Sequence, residues 1–449
     1  MVSTAFQLVV ACLAGSLYGL GPSGGAISVA LPYLKATTEL SSAQLSLLVG
    51  GCMFGAVVGG FAAGALADWI GRKKALILGA LAFLAGVPVV CLSGAVPMVM
   101  TAGLALEGFG AGVVGVVVPL YLAESVPPEI RGRCTAFFQM SMIVGILASG
   151  VIGFVLSALV GAADVATVSP AAKTGCWKGV FALEGLPALA VVLLGLRLPE
   201  SPVWLKRRVK VEGEGERWNA SSFDRPASSA STLLQRKYVV PFVLALVILV
   251  CNQTTGINAV LGYSVTIFQT AGLSGAFANA ADAFFKLAML VMTAVACVLV
   301  DRRGRRFLLQ VGTLGVIGSM LAAGILMLGI RLGWYPAGTV TGWLLAGLLS
   351  VFISAFAVGP GVCVWLALTE LMPTRIRAVG MSVALFCNQG VSTALQSTLL
   401  PLTDRIGFGW LFIGFAACTV VYWIAVQFFL PETKGRTLEE IESFFTKEK

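Results

Sequence analysis

Apolar runs long enough to cross a lipid bilayer divide this sequence almost from end to end. A helix rises about 1.5 Å per residue, so about 20 apolar residues span the hydrocarbon core. Runs of that kind fall near 5–33, 44–66, 75–95, 98–123, 134–160 and 178–197, then near 239–270, 275–300, 307–331, 341–370, 378–400 and 407–430. Backbone in lipid must satisfy its own hydrogen bonds, and runs of this length do so as helices. The expected fold class is an all-α polytopic membrane protein with twelve transmembrane helices. Composition supports it: 58% of the 449 residues are apolar and 11% are charged, against about 25% charged in an average soluble domain. The first run lacks a basic n-region and a cleavage site, so it reads as a membrane helix rather than a cleaved signal.

The runs form two sets. Residues 1–198 hold an N-terminal bundle, 199–238 a polar cytosolic linker with a short helical or disordered segment, 239–430 a C-terminal bundle, and 431–449 a cytosolic tail. With both termini on one side, most of the 30 Lys and Arg fall on that side. The exceptions are Lys35, Lys173, Lys178, Arg331 and Arg405 in opposite loops and Lys286 inside a helix. Short cytosolic loops carry such an excess, so both termini are expected in the cytosol. The same rule accounts for the net charge of +9 without a nucleic acid partner. There is no His to bind metal or shuttle protons. The ten Cys are scattered singly, with only Cys176 in an expected outer loop, so neither a disulfide framework nor a zinc site is expected. With no nucleophile–base pair, metal cluster or phosphate loop, neither an enzyme nor a cofactor is expected.

The halves repeat each other. GALADWIGRKK after helix 2 returns as CVLVDRRGRR after helix 8, and LYLAESVPPEIRGR after helix 4 returns as LALTELMPTRIRAVG after helix 10. LPESP after helix 6 returns as LPETKGR after helix 12. Parallel repeats of this kind imply a two-fold axis along the membrane normal and a central site between the halves. These signatures, with QTTGINA in helix 7, resemble the sugar porter family of the major facilitator superfamily over nearly the whole chain. The resemblance implies two pseudo-symmetric six-helix bundles (the major facilitator fold) and sugar transport by alternating access; the plasma membrane is the expected location. The expected partners are a monosaccharide and the lipid bilayer.

Charges recur in the cytosolic motifs. Asp68 stands with Arg72, Asp301 with Arg305 and Arg306, Glu124 with Arg131 and Arg133, and Glu370 with Arg375 and Arg377. Glu200 and Glu432 add carboxylates at the ends of helices 6 and 12, the second followed by Arg436. Arg holds a carboxylate bidentately, fixing geometry as well as adding energy. The resemblance implies inter-bundle salt bridges that latch the outward-open state. The alternative is solvated surface pairs worth about 0–1 kcal/mol each. Two departures point to a weaker latch: Val203 and Trp69 stand where the family has Arg.

A sugar presents a ring of hydroxyls and one apolar face, and it calls for amides and an aromatic platform. The resemblance assigns these roles to Gln139 in helix 5, Asn252, Gln253 and Asn258 in helix 7, Trp365 in helix 10, and Asn388 and Gln389 in helix 11. In a regular helix Gln253 and Asn258 point about 140° apart, so a distortion near Gly256 is expected, as in the family's gating helix 7. The alternative role for buried amides is interhelical glue. Gly262 replaces the first of the family's paired gating tyrosines and leaves Tyr263 alone; Met289 and Val364 are further departures.

Proton-coupled sugar porters carry an Asp in helix 1 and an Arg in helix 4. Alignment places Ser23 and Leu104 there, which favours passive uniport of a hexose such as glucose. Against it stand Glu184 in helix 6, where some proton-coupled members carry a glutamate, and Glu107 one turn from Leu104. Proton symport through Glu184 therefore stays open, with protons as a further partner. Asp282 and Lys286, four apart, are spaced to form an ion pair. A non-transporting sugar sensor is the distant alternative, and the chain ends soon after PETKGR, with no signalling tail expected.

Overall fold

The computed structural model describes residues 3–21, 24–38, 40–94, 96–159, 169–213, 236–364, 371 and 377–431. Among the described residues, eleven continuous stretches are long and apolar enough to cross a membrane, and the last, Val383–Phe429, is two helices. Arg377–Phe429 turns at Gly407, whose φ of 83° and ψ of 160° interrupt it, so helices 11 and 12 bring the crossings to twelve. The others are helix 1 (Thr4–Leu20 and Gly25–Thr37), helix 2 (Ser42–Ile70), helix 3 (Arg72–Leu92), helix 4 (Pro97–Ser125), helix 5 (Pro128–Leu159) and helix 6 (Pro170–Gly195). A linker helix, Pro202–Gly213, leads to helix 7 (Arg236–Thr254 and Ile257–Thr270), helix 8 (Gly275–Arg303), helix 9 (Arg305–Arg331) and helix 10 (Thr339–Phe356).

Helix starts follow local chemistry. Ser41 and Gln44 form a capping box on helix 2, and Ser3 and Ser169 cap helices 1 and 6. Pro97 and Pro170 occupy first-turn positions, where no amide hydrogen is needed. These caps explain why helix 6 starts at Pro170 rather than near 178. Hydropathy marks the hydrocarbon segment, whereas Ser169 and Pro170 set the helix start, so Cys176 lies buried inside helix 6 instead of in a loop. Helix 10 continues into a π turn at Ala357–Gly361 around Pro360, which cannot donate a backbone bond.

Pseudo-symmetry is visible in the backbone. Gly71, between helices 2 and 3, has φ 97° and ψ 159°; Gly304, between helices 8 and 9, has φ 90° and ψ 158°. Helices 1 and 7 are both broken midway, at Gly24 (φ 76°, ψ 16°) and Gly256 (φ 83°, ψ 12°). The helix 7 break is the expected one; the helix 1 break was not expected from the sequence.

Small residues set the spacing within a bundle. A Cβ on Gly55 would lie 2.0 Å from the Ala105 carbonyl oxygen, and one on Gly108 would lie 1.9 Å from that of Cys52. Helices 2 and 4 thus meet backbone to backbone, as close packing in lipid favours. Large apolar side chains such as Phe54, Leu186, Val291, Leu344 and Phe428 remain exposed on the outside of the bundles, where a bilayer would cover them.

Candidate transport site and its gates

The helix 7 break creates the central polar cluster. Gly256 adopts the left-handed conformation, and a Cβ there would sit 2.4 Å from the Phe415 ring of helix 12, so both backbone and space demand glycine. The turn brings Asn258 back onto Gln253: Asn258 Nδ2 donates to Gln253 Oε1 at 2.9 Å and to Ser392 Oγ at 2.9 Å. Gln253 Nε2 donates to Asn388 Oδ1 at 3.1 Å, and Asn388 Nδ2 to the Leu249 carbonyl at 2.8 Å. Helices 7 and 11 are joined by a chain of amides inside an apolar bundle.

Asn388, Ser392 and Gln396 follow at intervals of four on one face of helix 11. That spacing was available as a signal for Ser392, which the sequence reading missed. Tyr263 is buried and donates to the Gln396 carbonyl at 2.7 Å, tying the second segment of helix 7 to helix 11. Gln389 lies on another face and donates across the bundles to the Tyr18 hydroxyl of helix 1 at 3.1 Å. Tyr18, a lone phenol among small residues, was also not foreseen. Asn252, next to Gln253 and about 100° away from it, is buried with its Oδ1 unpaired among the described residues. Gln139 is exposed on helix 5. Trp365 lies outside the described residues.

The face carrying the Gly71 and Gly304 turns, the basic face, holds a second cluster. Arg72 is 2% exposed; its Nη2 and Nε grip Glu124 at 2.9 and 3.0 Å, and its Nη1 reaches Asp68 at 2.8 Å. Ser201 Oγ also donates to Glu124. Glu200 accepts from the backbone amides of Lys73 at 3.0 Å and Ser201 at 2.9 Å, so it caps helix 3. A side chain on Gly71 would occupy its place, with a Cβ 2.3 Å from Glu200 Oε2. Trp204 Nε1 donates to the Asp68 carbonyl at 2.9 Å, pinning the linker helix. All these contacts lie within the N-terminal half. In the other half, Arg305 opens helix 9 and Arg306 donates to the Gln427 carbonyl of helix 12. The side chains of Arg131 and Asp301, and Glu370, Arg375, Glu432 and Arg436, lie outside the described residues.

The opposite half of the molecule brings the bundles together. A Cβ on Gly24 would lie 2.6 Å from the Gly262 Cα, so helices 1 and 7 touch backbone to backbone where the family's tyrosine is missing. The Leu400 amide of helix 11 donates to Ser46 Oγ of helix 2 at 3.0 Å. Asp282 and Lys286 form the ion pair that their spacing suggested, at 2.8 Å with both side chains 0% exposed.

At the positions of the coupling pair, Ser23 lies outside the described residues. Leu104 is an ordinary core residue, 1% exposed. Glu107 and Glu184 are 0% and 1% exposed, and no carboxylate oxygen of either has a hydrogen-bond partner among the described residues. The Cγ of Glu107 packs against Gly86 of helix 3, where a Cβ would approach to 2.5 Å.

This architecture has many relatives. The model of a family described as "Sugar (and other) transporter" matches residues 27–445. The glucose transporter GlcP of Staphylococcus epidermidis is 30% identical over 97% of this chain and 95% of its own length. The D-xylose-proton symporter-like 2 of Arabidopsis thaliana is 29% identical over 99% of this chain and 91% of its own. A crystal structure of a D-xylose-proton symporter superposes with a TM-score of 0.78 at 25% identity, covering 97% of this chain and all of that one. With the repeated turns, the paired helix breaks and the family match across nearly its whole length, this chain belongs to the sugar porter family of the major facilitator superfamily of membrane transporters.

Proposed function

We propose that the protein carries a hexose such as glucose across the plasma membrane by alternating access, as a passive uniporter. The observation that carries the reading is the amide cluster of Gln253, Asn258 and Asn388, held at the helix 7 break. Amides both donate and accept, so a sugar hydroxyl can take the place of either partner in an amide–amide bond. Such an exchange replaces one hydrogen bond by another, so the net gain per bond is small. Affinity is then modest, as release on the far side requires. Gln139 would complete the site from the N-terminal bundle: an exposed amide inside a membrane helix is stable facing a wet cavity, not lipid. Asn252 and Gln389 flank the cluster, and Trp365 would lie under the ring. The relatives named for glucose and xylose support a monosaccharide.

In this reading the basic face is cytosolic, both termini lie inside, and the opposite half is the outer one. Asp68, Arg72, Glu124, Arg131 and Glu200, with Asp301, Arg305, Arg306, Glu370, Arg375, Glu432 and Arg436, would latch the cytosolic face when the outer side opens. Gly256 and Tyr263 would serve the outer gate.

Leu104, buried in apolar core at the position of the coupling Arg, favours uniport. One observation favours a second reading, proton symport: the carboxyls of Glu107 and Glu184, which have no hydrogen-bond partner among the described residues. Purified protein in liposomes separates the readings. Passive transport equilibrates labelled hexose without accumulating it under an imposed proton gradient. Accumulation abolished by Glu184→Gln would establish symport, and absence of any uptake would leave a sugar sensor.

A further inference from the structure

The contacts of Lys286 divide cleanly between two kinds. Its bond to Asp282, one turn away on helix 8, is internal to that helix and survives any rigid movement of the bundle. Asp282 is itself held by Ser264 of helix 7, whose hydroxyl donates to Oδ1 at 2.5 Å. The other contacts of the ammonium cross to the N-terminal bundle. Nζ donates to the Gly25 carbonyl at 3.2 Å, to Ser28 Oγ at 3.0 Å and to Ser149 Oγ at 3.4 Å. Both serine hydroxyls are oriented to receive it. Ser28 spends its hydrogen on the Gly25 carbonyl at 2.8 Å and Ser149 on the Ile146 carbonyl at 2.6 Å, so each turns lone pairs toward the cation.

The backbone leaves room for this approach. A Cβ on Gly150 of helix 5 would lie 3.1 Å from both Asp282 Oδ2 and Lys286 Cδ. Gly25 lies next to Gly24, which rests on Gly262 of helix 7. The ammonium therefore sits in a preformed cradle on helices 1 and 5, beside the place where helices 1 and 7 close on each other.

We infer that Lys286 is the tether of the outer gate, holding the outer half closed through acceptors that exist only while the bundles are together. The inference rests on the alternating-access reading. When the outer half opens, the bonds to Gly25, Ser28 and Ser149 break together, while the Asp282–Lys286 pair travels with helix 8. A group bound in one state and not the other shifts the equilibrium by its differential interaction and by nothing else. Asp282 makes the device compatible with the bilayer, because an unpaired buried ammonium would be strongly destabilising. The arrangement also compensates for Gly262. Where helix 7 lacks a tyrosine to cover the gate, the backbones meet directly and a charge from helix 8 holds them.

The test measures gate opening without sugar, so its result does not depend on which substrate is carried. Spin labels at Ala36→Cys and Asp404→Cys, on the outer ends of helices 1 and 11, report the separation by pulsed electron resonance in liposomes. Cys12, Cys91, Cys297, Cys387 and Cys418 are replaced by Ala to leave only buried thiols. Ser28→Ala/Ser149→Ala removes two cross-bundle acceptors and keeps the ion pair; Asp282→Asn/Lys286→Met removes both charges together. Each should raise the ratio of outward-open to closed molecules on the order of tenfold, seen as a second, longer distance. A serine variant with the wild-type distance distribution overturns the tether, whatever the charge-free variant does. A charge-free variant that folds and stays closed overturns it equally.

Discussion

Replacing Gln253 by alanine separates a sugar site from a purely structural polar cluster. The side chain makes two hydrogen bonds, donating to Asn388 at 3.1 Å and accepting from Asn258 at 2.9 Å. Its neighbours keep other partners: Asn258 retains Ser392, and Asn388 retains the Leu249 carbonyl. The fold should therefore survive with a loss of about 1–3 kcal/mol, the usual cost of removing one side of a buried neutral pair. If Gln253 also holds a sugar hydroxyl, binding falls by a similar amount, which is several-fold to about a hundred-fold in Kd. Gln139 is the matched control. It takes no part in this cluster and is exposed on helix 5, so Gln139→Ala should leave stability within about 0.5 kcal/mol while weakening sugar by the same order. The assay is equilibrium binding of labelled hexose to detergent-purified protein, beside a thermal melt. Glue predicts a lower melting temperature for Gln253→Ala and unchanged affinity for both variants, and that result would refute the site.

Three further changes test the surrounding machinery. Gly256→Ala forces a Cβ to 2.4 Å from the Phe415 ring in a left-handed backbone; the strain of about 1–2 kcal/mol and overpacking of about 1–3 kcal/mol should lower the melting temperature and abolish uptake, and Phe415→Leu should restore part of the stability but not all. Arg72→Met leaves Glu124, 10% exposed, with Ser201 but without its bidentate partner and should lower the melting temperature; adding Glu124→Gln should recover much of that loss in the same melt. Neutralising Glu200 and Glu432 together should favour inward-open molecules, read as faster modification from the cytosolic side of a reporter thiol placed at Gly361. An unchanged rate would rule out the latch and leave Glu200 as the cap of helix 3.

Hydropathy and repetition made the architecture legible, because a bilayer forces each apolar run into one helix and duplicated halves must fold alike. The Gly71 and Gly304 turns, with nearly equal backbone angles, are the structural counterpart of the repeated GRKK and GRR motifs. The Gly256 break was also readable, because two amides five apart reach one ligand more easily if the helix distorts between them. What local sequence could not contain was which polar groups find partners. Gln253 and Asn388 stand 135 residues apart, Gln389 and Tyr18 stand 371 apart, and Lys286 meets Gly25 across 261 residues. Asp282–Lys286 reads from spacing as a self-contained pair on one helix. Only the packing of helices 1 and 5 against helix 8 gives the lysine its cross-bundle acceptors. The reason is physical: helical periodicity specifies which residues share a face, whereas a buried charge is stabilised by whatever dipoles the tertiary fold brings within 3 Å or so of it, and those come from the other bundle.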